Sequence, residues 1–203
     1  MRKPRSEMIA ETRAKLLSAG RKAFGSIGYA DASMDDFTAS AGLTRGALYH
    51  HFGDKKGLLQ AVINEIDAEM AARLCAISSK APTRWQGFVD ENVGYLQMAL
   101  EPEIQRIMFR DGPAVLGDPS GWPSANACIA TLARSLKSLL EEGIIVEIDP
   151  EAAARLINAA SSSAAQWIAN SDDPEETSQR AVEAFRTFLE GLRIKDRERP
   201  DVA

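Results

Sequence analysis

Apolar residues return at helical spacing along most of the chain. Leu16 or Leu17, Gly20, Ala23 or Phe24 and Ile27 form one stripe, over a helix from about Ser6 that Gly28 ends. Phe37 and Ala41 form a short second stripe, and Leu48 with Phe52 a third. The fourth is long and unbroken: Leu58, Leu59, Val62, Ile63, Ile66, Met70, Leu74 and Ile77. It predicts one rigid helix over residues 55–77. Trp85, Phe88, Val89, Tyr95, Leu96 and Leu100 follow, broken by Glu101-Pro102. A short piece spans Ile104 to Phe109, and Asp111 to Gly121 is rich in Gly and Pro and reads as loop. Helices over about 122–142, 150–170 and 174–189 complete the chain. Residues 1–7 read as a short basic arm and 195–203 as a charged tail.

The polar positions punctuate this pattern. Ser33, Thr44, Asp54, Thr83, Asp149 and Asp173 each put a side-chain oxygen where the first free amides of a helix need an acceptor. Pro150 and Pro174 follow two of them at the first helical position. No segment alternates convincingly with period two. The pattern predicts an all-α fold of about nine helices, divided into a head, residues 1–54, and a helical body, residues 55–203.

Residues 33–52 organise the rest. They read as two short helices joined by a turn at Gly42-Leu43, the second capped by Thr44. Leu48 and Phe52 account for its buried side. Thr44, Arg45, Gly46, Ala47, Tyr49 and His50 are left with no core to enter. Such a helix stabilises a fold poorly but suits the DNA major groove, which admits one helix. Arg45 is placed to grip guanine and the Ala47 methyl to meet thymine. Gly46 costs about 1 kcal/mol against alanine in a helix, which points to close backbone approach by a partner. Tyr49, His50 and Lys55 suit phosphates.

Residues 13–63 resemble the DNA-binding domain of the tetracycline-repressor (TetR) family. The matching residues are Ala19, Phe24, Gly28-Tyr29, Ser33-Met34, Ala41-Gly42-Leu43-Thr44, Gly46, Leu48-Tyr49-His50, Phe52, Lys55 and Leu58-Leu59. Ala47 stands where threonine is common and His51 where tyrosine is common, departures that bear on the operator sequence. The resemblance implies an N-terminal three-helix, helix-turn-helix domain followed by a C-terminal bundle for effector binding and dimerisation. It assigns DNA contact to Ser33, Met34, Thr44, Arg45, Gly46, Ala47, Tyr49, His50 and Lys55.

In that family the body encloses a small-molecule pocket. By this resemblance Trp85, Phe88, Tyr95, Met98, Met108, Phe109, Trp122 and Trp167 are its candidate walls, with Arg106, Arg110 and Asp111 as possible polar groups. The family dimerises through its last two helices. Here residues 152–165 are rich in Ala and Ser, and the last helix is striped by Ala181, Val182, Phe185, Phe188, Leu189 and Leu192. Ala160, Ala164, Phe185, Phe188, Leu189 and Leu192 are therefore the candidate dimer face.

Charge sharpens the picture. The chain carries −5 overall, but residues 1–56 hold ten Lys/Arg against six Asp/Glu, net +4, and the remainder fourteen against twenty-three, net −9. A positive head on a negative body turns the head toward a polyanion. Cys75 and Cys128 lack metal or redox spacing and read as buried small hydrophobes. The only histidines, His50 and His51, are adjacent and diverge on a helix, so they cannot share one metal. The body has no histidine for a nucleophile, and no phosphate-binding glycine motif occurs.

The uncharged run 156–171 is too short and polar for a bilayer, and no apolar signal segment follows Arg2, Lys3 and Arg5. The expectation is a cytoplasmic, homodimeric regulator of transcription, most simply a repressor. It binds double-stranded DNA and a small effector, without catalytic residues, metal, cofactor or membrane. Two rivals are a ligand-independent architectural DNA-binding protein and a helical small-molecule-binding protein or enzyme with a vestigial head.

Overall fold

In the computed structural model residues 4–194 are described; the outer part of the basic arm, with Arg2 and Lys3, and the tail 195–203 lie outside them. Nine helices follow one another among the described residues: α1 Arg5–Ile27, α2 Met34–Ser40, α3 Arg45–Phe52, α4 Lys55–Ser78 and α5 Arg84–Met98, then a composite α6 over 102–116, α7 Pro123–Glu141, α8 Pro150–Asn170 and α9 Pro174–Glu190. No strand forms among the described residues. One antiparallel bridge joins Ile145 to Arg193 and closes the end of the body.

Every cap read from the sequence is occupied. Ser33 accepts from the Asp36 amide, Thr44 from Ala47, Asp54 from Gly57, Thr83 from Gln86, Asp149 from Ala152 and Asp173 from Glu176. Each satisfies an amide that the helix itself cannot.

The expectation of a loop over 111–121 is corrected. Residues 105–111 form a π-helical turn and Gly112–Leu116 continue as α-helix; only the part beyond is loop, with a 3-10 turn at Pro119–Gly121. Pro113 sits in the first turn after the register changes, where a missing amide costs least. The π turn aims two side chains in different directions. Arg110 donates to the Ala169 carbonyl at the end of α8, at 2.6 Å. Asp111 accepts from the Tyr29 amide in the head, at 2.7 Å.

The buried residues make one continuous core. Leu16, Leu17, Phe24, Phe37 and Leu48 fill the head, and Leu58 and Leu59 of α4 close it. The same helix then buries Val62, Ile63, Ile66 and Met70 against the body. Helix α4 thus belongs to both cores, packing on α1 and α3 at one end and α5 along the rest. Charged groups add to this junction: Arg21 of α1 reaches Glu65 and Glu69 of α4 and Glu103 of α6, and Arg106 donates to the Ser26 carbonyl.

The cysteines depart from expectation. Cys75 and Cys128 are both exposed and unbridged, because each lies one position off an inward stripe, beside Leu74 and Ile129. Even so, the atoms packed around the Cys128 sulfur, with Glu91 and Asp67 nearby, push its thiol pKa up.

Candidate nucleic-acid interface

The turn between α2 and α3 is held by its backbone. Gly42 takes φ +67°, a conformation that a side chain would strain. The Leu43 amide then donates to the Thr38 carbonyl at 2.9 Å. This sets the exit angle of α3 and turns Leu48, fully buried, into the head. Thr44, Arg45, Gly46, Tyr49 and His50 lie on the opposite, exposed side. Ser33 and Met34, at the start of α2, are half-buried. Ala47 corrects the sequence reading in part: it is half-buried and packs against the core, since it precedes Leu48 on the inward edge of the helix. Gly46 has no such neighbour. A Cβ there would meet only the Thr44 hydroxyl, at 3.7 Å, so packing within the head does not call for glycine.

Two contacts pre-arrange each cation. The Arg45 guanidinium lies 3.5 Å from Asp35 and over the Tyr49 ring at 5.9 Å. It is half-exposed, so a charged partner of higher density than one solvated carboxylate can draw it away. Lys55 sits 4.4 Å over the Tyr29 ring and donates to the Ala30 carbonyl at 3.4 Å. Its stem is held by the head, and its charge lies in the first turn of α4, where a cation opposes the helix dipole. On α3, burial, His50 and the Arg13 guanidinium lower the pKa of His51. Asp35 and Arg13 escape a sequence reading because each meets its partner only after the turn is made.

The candidate pocket residues separate into groups. Trp85 and Phe88 pack together at 5.9 Å, and the Trp85 indole N–H is committed to Glu190 of α9 at 2.9 Å. Tyr95 meets Phe109 edge-on at 5.8 Å. Met98, Met108 and Trp122 are buried. Trp167 is corrected: half its surface is exposed and its ring lies under the Arg180 guanidinium, outside any interior wall. Arg106 and Arg110 serve backbone carbonyls and Asp111 a backbone amide, so all three tie elements together.

The candidate dimer face is corrected at two of its positions. Phe185 and Leu189 are buried in their own chain, whereas Phe188 is 49% exposed. Ala160, Ala164 and Leu192 are half-buried. Two exposed apolar groups on α8 fall outside that candidate face: Leu156, at 65%, and Trp167, at 50%. Leu156, Ala160, Ser163 and Trp167 fall at i, i+4, i+7 and i+11 on α8, so helical spacing contained this signal.

An exposed, N-capped helix carrying arginine, tyrosine and histidine, braced by a helix-turn-helix head on a helical body, defines a DNA-binding protein of the transcription-regulator class. Residues 16–62 match the family model for bacterial regulatory proteins of the tetR family, and residues 85–192 match the tetracyclin repressor-like C-terminal domain. The chain belongs to the TetR family.

A TetR-family transcriptional regulator from Pectobacterium atrosepticum, solved by crystallography, is 51% identical with TM-score 0.89, covering 96% of this chain and 100% of that one. The repressor AcnR of Corynebacterium glutamicum is 38% identical over 101 residues, 49% of this chain and 52% of AcnR. The regulator TtgR of Pseudomonas putida is 40% identical over 60 residues, 30% of this chain and 29% of TtgR. The chain thus matches about half or less of these curated relatives' lengths.

Proposed function

We propose that the protein is a ligand-responsive transcriptional repressor that acts in the cytoplasm. It binds a pseudo-palindromic operator as a homodimer and leaves it when a small molecule occupies the body. The observation that carries this reading is the outward set Thr44, Arg45, Gly46, Tyr49 and His50 on a helix whose other side is locked by Leu48. Arg45 reads a base edge, while Tyr49, His50 and Lys55 hold phosphates and fix register. The functional division follows the head, residues 1–54, and the body, residues 55–203. No described helix is long and apolar enough to cross a membrane.

Dimerisation is supported by the exposed stripe of α8 and its continuation on α9 through Arg180 and Phe188. Two copies related by a two-fold axis bury this face against itself. Their heads then meet one side of a duplex with half-sites roughly 35 Å apart or a multiple of it. An effector acts by binding more tightly to a dimer whose heads are otherwise spaced. Helix α4 is the lever, since it is packed into both head and body.

Selection of bound fragments from the source genome tests the reading. The expected result is enrichment of fragments sharing an inverted repeat with one half-site per head. Equal retention of all fragments overturns sequence-specific repression and favours an architectural role.

A further inference from the structure

Two buried polar atoms among the described residues have no hydrogen-bond partner: Asp67 Oδ2 on α4 and the indole Nε1 of Trp122. A buried carboxylate oxygen and a buried N–H each lose water for nothing unless something replaces it. The segments that carry them are neighbours. Ser124, two residues after Trp122, brings its hydroxyl to the Asp67 carboxyl. The Trp122 ring edge and Ile63 both abut Gly112, closely enough that a Cβ there would meet them at 2.9 and 3.0 Å. Ile63 lies one turn before Asp67 on the same face of α4.

The surroundings select a ligand. Tyr95 hangs from α5 into the same region, edge-on to Phe109, with the Ser162 hydroxyl and Cys128 beside it. Burial pushes the Asp67 carboxyl up and holds the Tyr95 phenol protonated. The charged groups that act on Tyr95 and Cys128 are Asp67 and Glu91, both acidic. A cation entering here gains from both carboxylates, while an anion is repelled.

The geometry points to an effector site at the junction of α4, α5, α7 and α8 for a small aromatic organic cation. The ligand donates to Asp67 Oδ2 from a protonated amine and accepts the Trp122 N–H through an oxygen. This site rests on the ligand-responsive reading above and specifies the chemical class that the reading leaves open. It also assigns partners to two desolvated atoms that the fold leaves unpaired, Asp67 Oδ2 and the Trp122 indole N–H: a free protein that tolerates them is poised to be stabilised when they are paired.

The test uses the full-length protein with two probes on one skeleton, tyramine and 3-(4-hydroxyphenyl)propanoate. Calorimetric affinity and thermal midpoint are read for the wild type, Asp67→Asn and Trp122→Phe. Tyramine is expected to bind at least about tenfold tighter than the acid. Asp67→Asn should erase that preference, and Trp122→Phe should weaken tyramine several-fold. Equal or tighter binding of the acid, a preference that survives Asp67→Asn, or no binding of either probe overturns the proposal. Operator binding by the same samples reports folding and separates the two readings. Intact operator binding without the amine preference sinks this site alone, whereas absent operator binding sinks the regulator itself.

Discussion

Arg21 grips both carboxylate oxygens of Glu103, from Nε at 2.9 Å and Nη2 at 2.8 Å, across the seam between head and body. Its other contacts run to Glu65 and Glu69 on α4, so one guanidinium joins α1, α4 and α6. Only a planar, multi-donor cation can serve three carboxylates at once.

Arg21→Met should therefore destabilise the protein by about 1–2 kcal/mol, discounted because the acids are partly exposed. For a chain of this length that is a fall of a few degrees, at roughly 2–4 °C per kcal/mol in thermal melts. The Arg21 hydrogen bond lowers the Glu69 carboxyl pKa. A lowered acid contributes stability above the ordinary carboxylate value and loses it as pH falls through the folded value. The variant should lose part of this acid-side dependence; identical pH profiles would show that the cluster is only a surface ornament.

Arg45→Ala should weaken operator binding by about 1–3 kcal/mol and relax preference at one base pair. Because Asp35 holds the free guanidinium at 3.5 Å, Asp35→Asn should raise affinity for DNA generally. Binding assays on a set of single-base operator variants decide the point. Uniform loss across all of them assigns Arg45 to the backbone.

Lys55→Ala should reduce the slope of log affinity against log salt by roughly 0.9, the value of one phosphate contact. The same side chain rests on the Tyr29 ring. A lower melting point with an unchanged salt slope would make its role purely structural.

Phe188→Asp places a charge on an exposed apolar face and should yield folded monomers in sedimentation, whereas Leu189→Asp, at a fully buried neighbour, should unfold the chain. Intact dimers of the first variant would move the interface away from α9.

Asp67 sets a second pH dependence. Burial raises its carboxyl pKa, so between the ordinary and the raised value the folded protein holds a proton that the unfolded chain has released. Stability then falls as pH rises through that interval. Asp67→Asn should flatten this decline in urea midpoints measured from about pH 4 to 8; an unaltered decline would mean that another group titrates.

Local chemistry carried much of the fold into the sequence. Ser33, Thr44, Asp54, Thr83, Asp149 and Asp173 bind amides only three residues away, so their role is readable from spacing. The long stripe of α4 and the outward positions of α3 follow from helical period and from what Leu48 and Phe52 leave over. Gly112-Pro113 misled because proline is tolerated in a first helical turn, and no local signal announces a π turn before it.

What the chain determined by itself was the helices, their caps, and a positive head bearing an exposed, arginine-led helix, since these depend on neighbours within one or two turns. Which stripe residues face their own core and which face outward was decided by tertiary packing: Phe185 inward, Phe188 and Trp167 outward. So was the meeting of Asp67 and Ser124, 57 positions apart, and of Arg21 with Glu103, 82 apart. A helix repeats its faces regardless of what will cover them. Only the docking of other helices chooses which apolar face is buried and which distant charges meet.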